Sequence, residues 1–304
     1  MRPTVPHVQA GAPRTASRGR RRVRDRRAPK RLCEASTAAT PSAGADGETC
    51  HVTMQPDAAA RLRILCLHGY AQNGDFFRAR TGALRKALKA DFHFPTAPHP
   101  ATAAFVDGSD ADTRGTPTAW WNAAESGKRP STSAKYEGYA ESIDFVRTVI
   151  ETDGPFDGVL GFSQGATIAT LLCLASASAP PFRFAILFSG FFPRDATAGA
   201  LVPAAALEMY AATGNVDPPG ADGSARPPPM PLPSVHFVGE SDGLVPRVSS
   251  ESLSACFDGG KIVDHAGGHC VPGTAPVRNA LKLFVREHAV GGAPPAAPPA
   301  PPPD

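Results

Sequence analysis

The sequence contains no Cys-x-x-Cys pair. Its six cysteines stand apart, at positions 33, 50, 66, 173, 256 and 270, so neither a zinc site nor a thioredoxin-type redox motif has a basis, and no metal or cofactor is expected. Several lie in apolar runs, where a free cysteine behaves as a small hydrophobe, and a reducing compartment is the expectation. The first 31 residues lack the apolar segment of a secretory signal. No internal repeat is visible. A membrane-spanning run is also missing. Gly158–Phe182 carries no formal charge, but Gly161, Ser163, Gln164 and Gly165 interrupt its start and Pro180-Pro181 its end. The helical part, Ala166–Ala175, is far shorter than the roughly 20 residues a span needs.

Acidic residues are scarce only at the start. Met1–Arg31 has ten arginines and one lysine against Asp25, a charge of +10, while the other 273 residues hold 20 bases and 27 acids, leaving +3 overall. The positive charge therefore does not belong to a folded face, and no nucleic-acid partner is expected for the folded domain. A hydrophobic content of 42% excludes wholesale disorder. Residues 1–60 are expected to be a disordered basic leader. Its composition suits an organelle transit peptide, and Arg18–Arg27 also suits a nuclear address or a nucleic-acid arm. An arm without function, or a true start at Met54, is the competing reading. Proline, 33 in all, clusters in Asp217–Pro233 and in Val290–Asp304, with seven in each. We read residues 290–304 as a disordered Pro/Ala tail and residues near 196–233 as a Pro/Ala-rich insertion in one domain, 61–289. The location follows as cytoplasmic, or an organelle if the leader is a transit peptide.

Within the domain, short apolar runs alternate with helical patterns. Strands are expected at Arg63–Leu67, Phe92–Phe94, Phe156–Phe162, Phe182–Phe188, Val235–Val238 and Lys261–His265. Helices are expected over Asp75–Ala90, from Tyr136 through Ile150, from Gln164, over Leu244–Phe257 and over Pro276–His288. Ala101–Ser133 reads as irregular. This alternation implies an α/β fold with a mostly parallel central sheet and helices on both faces.

The most specific motif is Gly161-Phe162-Ser163-Gln164-Gly165, a G-x-S-x-G between a strand and a helix. Such a turn is so tight that the positions two before and two after the serine must lack bulk. It holds the hydroxyl above the sheet and sets an amide, that of Gln164, at a helix start. A serine at neutral pH needs a base and the base an orienter, in the chain order Ser, acid, His. Four histidines follow Ser163. His236 reads as strand packing, His288 as a helix-end residue, and His265 as fixed within its strand. His269, in the loop Ala266-Gly267-Gly268-His269, is favoured. Among acids, Asp242 in Gly239-Glu240-Ser241-Asp242 is favoured over Asp264 and Asp195, and Glu240 reads as a loop or pocket carboxylate. The Tyr70 amide, after the first strand, is the natural second oxyanion donor. His68 reads as structural.

His68-Gly-Tyr-Ala-Gln-Asn-Gly74, Ala119-Trp-Trp121, Gly154-Pro-Phe-Asp-Gly158, Gly161-Phe-Ser-Gln-Gly-Ala166 and Gly267-Gly-His269 with Val271-Pro272 together resemble the FSH serine hydrolase family. The resemblance runs from about Arg61 to His288. It implies an α/β-hydrolase carboxylesterase with Ser163, Asp242 and His269 as its triad, and leaves ester against thioester open. Trp120, Trp121 and Phe162, with Phe191-Phe192, are candidates for an apolar acyl pocket, and short or medium apolar acyl esters are the expected substrates. The other class of reading is a non-catalytic module of the same fold that binds a small molecule or a protein.

Overall fold

The computed structural model describes residues 61–102, 115–214 and 225–289. The expected leader and tail lie outside these residues, as does 215–224 within the Pro/Ala-rich stretch. Six strands form one sheet: β1 (Arg63–Leu67), β2 (Asp91–His93), β3 (Gly158–Phe162), β4 (Phe184–Phe188), β5 (Ser234–Gly239) and β6 (Lys261–His265). Every neighbouring pair is parallel, in the spatial order β6-β5-β4-β3-β1-β2. The chain steps outward from β1 to β2, then returns to lay β3 on the other side of β1. That reversal opens a crevice beyond the carboxyl ends of β1 and β3.

Eight helices are described: α1 (Gly74–Arg80), α2 (Gly82–Leu88), α3 (Tyr139–Asp153), α4 (Gln164–Ala175), α5 (Ala196–Gly199), α6 (Ala204–Ala211), α7 (Arg247–Ser254) and α8 (Ala275–His288). They cover both faces, so the central strands β3 and β4 are buried at every residue and read as unbroken apolar runs. The period of two sorts the side chains. Leu65, Leu67, Val159 and Leu187 join one core with Val146 of α3 and Ile168 of α4. Ile64, Cys66, Leu160 and Ile186 join the other with Leu84 of α2 and Leu281 of α8. Helix α4 is buried on every side from Gln164 to Leu174, which explains its lack of charge. Among the described residues no helix is long and apolar enough to cross a membrane.

Local chemistry moved several boundaries. The expected helix over Asp75–Ala90 is two helices, divided at Thr81, whose hydroxyl bonds back to the Phe77 carbonyl, and at Gly82, a poor helix former. Asn73 caps the first by accepting from the Phe76 amide. Tyr136 is not in a helix. It sits in a two-residue strand, Tyr136–Glu137, and Gly138 with φ of 85° turns the chain into α3. Leu244–Pro246 are likewise non-helical, because the Leu244 and Val245 amides donate to the Asp242 carboxylate. In the stretch near 196–233, the short helices α5 and α6 pack back on the domain, with Tyr210 stacked 4.4 Å from Phe192.

Candidate active site

Ser163 lies between β3 and α4 with φ of 52° and ψ of −116°, a conformation L-residues seldom adopt. Its amide donates to the Phe188 carbonyl at 2.8 Å, tying the turn to the sheet. Both flanking glycines are required by contact. A Cβ on Gly161 would stand 2.4 Å from the Gly165 carbonyl oxygen, and one on Gly165 would stand 2.0 Å from that of Leu67.

The serine hydroxyl meets a second and third group from other strand ends. Ser163 Oγ is 2.9 Å from His269 Nε2, and His269 Nδ1 is 2.8 Å from Asp242 Oδ2. His269 comes from the loop after β6 and Asp242 from the turn after β5. With Asp242 ionised, Nδ1 carries the proton, and Nε2 is left to accept from the serine hydroxyl. The second carboxylate oxygen, Oδ1, accepts from the amides of Leu244 and Val245, each at 2.9 Å.

Burial alone would raise the Asp242 carboxyl. The hydrogen bonds from His269 and the two amides outweigh it and bring the group down to about 2. A folded value below the ordinary 3.8 means that the ionised form stabilises the fold. That stability is fully present above pH 4 and is lost as pH falls through about 2. In chemical denaturation, the advantage of wild type over Asp242→Asn should be flat above pH 4 and shrink below it. An advantage that grows on acidification is the contrary result.

The rival residues are engaged elsewhere. Asp264 pairs with Arg247, and Asp195 caps α5 while accepting from the Tyr136 amide. His265 accepts from the Gly267 amide at 3.2 Å, and burial lowers its pKa. His236 contacts Ser234 Oγ inside β5, where burial brings it down to about 3. His288 packs on Phe284 at the end of α8. Glu240 is exposed and takes no part in the cleft. His68 is wholly buried and brought down to about 4 by burial, so its ring is neutral. It donates from Nδ1 to the Gly69 carbonyl and accepts at Nε2 from the Ala97 amide.

Above Ser163 lies a cleft of about 430 Å³, walled by Phe76, Phe77, Phe162, Phe191, Leu244 and Val271, with Arg80 and Arg129 also in its lining. Tyr70 and Gln164 line the cleft together with Ser163, and their amides are the ones to account for. Neither donates to a main-chain carbonyl among the described residues, and the latter, first in its helix, can have no intrahelical partner. The tryptophans correct an expectation. Trp120 and Trp121 are 0% exposed and do not line the cleft. They lie one layer deeper, with Trp121 stacked on Tyr136 at 4.6 Å. Sequence reasoning missed Phe76, Phe77 and Leu244 as cleft residues. The signal available for Leu244 was an apolar residue beside the acid loop, and it is 51% exposed.

A parallel sheet covered on both faces, with a strained serine turn at its switch point, defines an α/β-hydrolase. Solved structures share the fold. The esterase PE8 aligns with a TM-score of 0.50 over 76% of this chain and 94% of its own, at 20% identity. A variant of Arabidopsis thaliana SOBER1 aligns with a TM-score of 0.50 over 76% of this chain and all of its own, at 16% identity. The family model described as serine hydrolase (FSH1) matches residues 56–281, and the chain belongs to that family. Esterase OVCA2 of Bos taurus is 35% identical over 246 residues, 75% of this chain and 97% of its own. Esterase CG5412 of Drosophila melanogaster is 34% identical over 234 residues, covering 75% and 74%. The chain is an enzyme, a hydrolase of the carboxylesterase type.

Proposed function

We propose that residues 61–289 hydrolyse carboxylic esters of apolar acyl groups through a Ser163–His269–Asp242 triad. The observation that carries this reading is the unbroken relay of 2.9 and 2.8 Å from Ser163 Oγ to Asp242 at the floor of the cleft. Ser163 Oγ attacks the acyl carbon as His269 Nε2 takes its proton, and the amides of Tyr70 and Gln164 receive the oxyanion. The C–O bond to the alcohol breaks, and that oxygen takes the proton from Nε2. A water molecule, deprotonated by the same nitrogen, then attacks the acyl-enzyme and frees the acid. A thioester enters the same cycle with a thiol as leaving group. Asp242 keeps the imidazole in one tautomer and steadies the imidazolium. The apolar walls formed by Phe76, Phe77, Phe191 and Val271 support an apolar acyl chain. We place the enzyme in a reducing compartment, a reading supported by free thiols at Cys66, Cys173, Cys256 and Cys270.

A fluorophosphonate probe tests the nucleophile. Wild-type protein should become labelled and Ser163→Ala should not. An unlabelled wild type, or equal labelling of the variant, would instead favour a binding module of the same fold. Matched p-nitrophenyl esters and acyl thioesters of increasing chain length then rank the leaving group and the acyl length.

A further inference from the structure

We propose that Trp120 and the side chain of Gln164 are positioning residues that hold the two oxyanion amides at a fixed separation. This rests on the triad reading above. The two amides belong to separate segments, Tyr70 in the loop after β1 and Gln164 at the start of α4. Trp120 bonds to both. Its indole Nε1 donates to the His68 carbonyl at 2.8 Å, two residues before Tyr70. Its own amide donates to Gln164 Oε1 at 2.9 Å, and Gln164 Nε2 donates to the Trp121 carbonyl at 2.7 Å. The Gln164 side chain thus commits both polar groups to the main chain of the tryptophan pair. Gln164, Trp120 and His68 are each 0% exposed.

The strut is anchored at its outer side as well. Ser142 of α3 donates from Oγ to the Trp120 carbonyl. The His68 ring, held neutral by burial, fixes Gly69 on one side and Ala97 on the other. Hydrogen bonds enclosed in an apolar core have narrow geometry, and a buried amide cannot exchange its partner for water. One indole and one carboxamide therefore set the distance between donors from two segments far apart in sequence. This accounts for two tryptophans beside a catalytic cleft that neither of them enters.

The test compares Gln164→Met and Trp120→Phe, which remove the bonds and keep most of the volume. With a p-nitrophenyl ester, kcat should fall about 10- to 100-fold while KM stays within about threefold, because the oxyanion forms only in the transition state. Fluorophosphonate labelling should slow in step, since the phosphoryl oxygen occupies the same hole. The double variant should lose little more than the slower of the two single variants. Gln164→Glu adds a rescue. When protonated, the carboxyl introduced by Gln164→Glu can accept from the Trp120 amide and donate to the Trp121 carbonyl, so its kcat relative to wild type should rise as pH falls. Folded variants with wild-type kcat, a loss confined to KM, or a Gln164→Glu ratio flat with pH overturn the proposal. Wild type that does not label at Ser163 overturns the triad reading instead, so the two failures are separable.

Discussion

His269→Ala is expected to lower kcat for an activated ester by about a millionfold, and adding Ser163→Ala to it should cost almost nothing further. In the proposed relay the two residues act as one unit. Without the imidazole, the serine hydroxyl keeps its proton and is no better a nucleophile than water. Without the hydroxyl, the imidazole has nothing to deprotonate. Asp242→Asn should cost about 10⁴-fold, since the Asn NH2 can donate to Nδ1, which moves the ring proton to Nε2 and turns that nitrogen from acceptor to donor. No neighbour can substitute for His269, because His265 already accepts from the Gly267 amide. The measurement is single-turnover and steady-state kinetics, with circular dichroism to show that each variant is folded. A His269→Ala enzyme within tenfold of wild type would remove it from the relay.

What the sequence made legible was chemistry with a local steric or positional rule. The serine turn needs two glycines at fixed spacing, and the contacts around Gly161 and Gly165 show the rule at work. Asp242 and His269 each follow a strand by a few residues, and a parallel sheet gathers all such positions along one edge. Asp264 lies in the strand that leads directly to His269, an awkward reach across five residues, and in the structure it pairs with Arg247 instead. The tryptophans were harder. An aromatic pair announces burial but not which apolar surroundings it will find. Trp120 and Trp121 were expected in the acyl cleft and lie beneath it because the carboxamide of Gln164 and the carbonyl of His68 bind them there. That layer depends on partners 44 and 52 residues away in sequence, which no periodicity encodes. The pattern over Asp75–Ala90 announces a helix but not the cleft that Phe76 and Phe77 wall, and the spacing of Tyr136 from Tyr139 points to α3. The φ of 85° at Gly138 overrode that spacing.

Gly165→Ala should be the most damaging single-methyl change in the domain. The added Cβ would lie 2.0 Å from the Leu67 carbonyl oxygen and 2.5 Å from that of His68, both backbone atoms at the end of β1. Neither can rotate away, so α4 must lift off the sheet or β1 must shift. Overpacking of this kind costs about 1–3 kcal/mol or more. The activity loss should exceed what that instability explains. The displaced atoms carry the His68-Gly69-Tyr70 turn on one side and the Ser163 turn on the other, and a shift of about 1 Å between donors and nucleophile can cost about a hundredfold in rate. Gly243→Ala is the control. It neighbours Asp242, yet a Cβ there meets nothing within 4 Å. Thermal unfolding and kcat measured on both should separate them. Gly243→Ala should keep the wild-type Tm and rate. Gly165→Ala should either fail to accumulate as soluble protein or unfold at lower temperature with kcat down at least about a hundredfold. Wild-type behaviour from Gly165→Ala would mean that α4 can withdraw from β1 without disturbing the serine, and the close contact would then have no part in holding the turn.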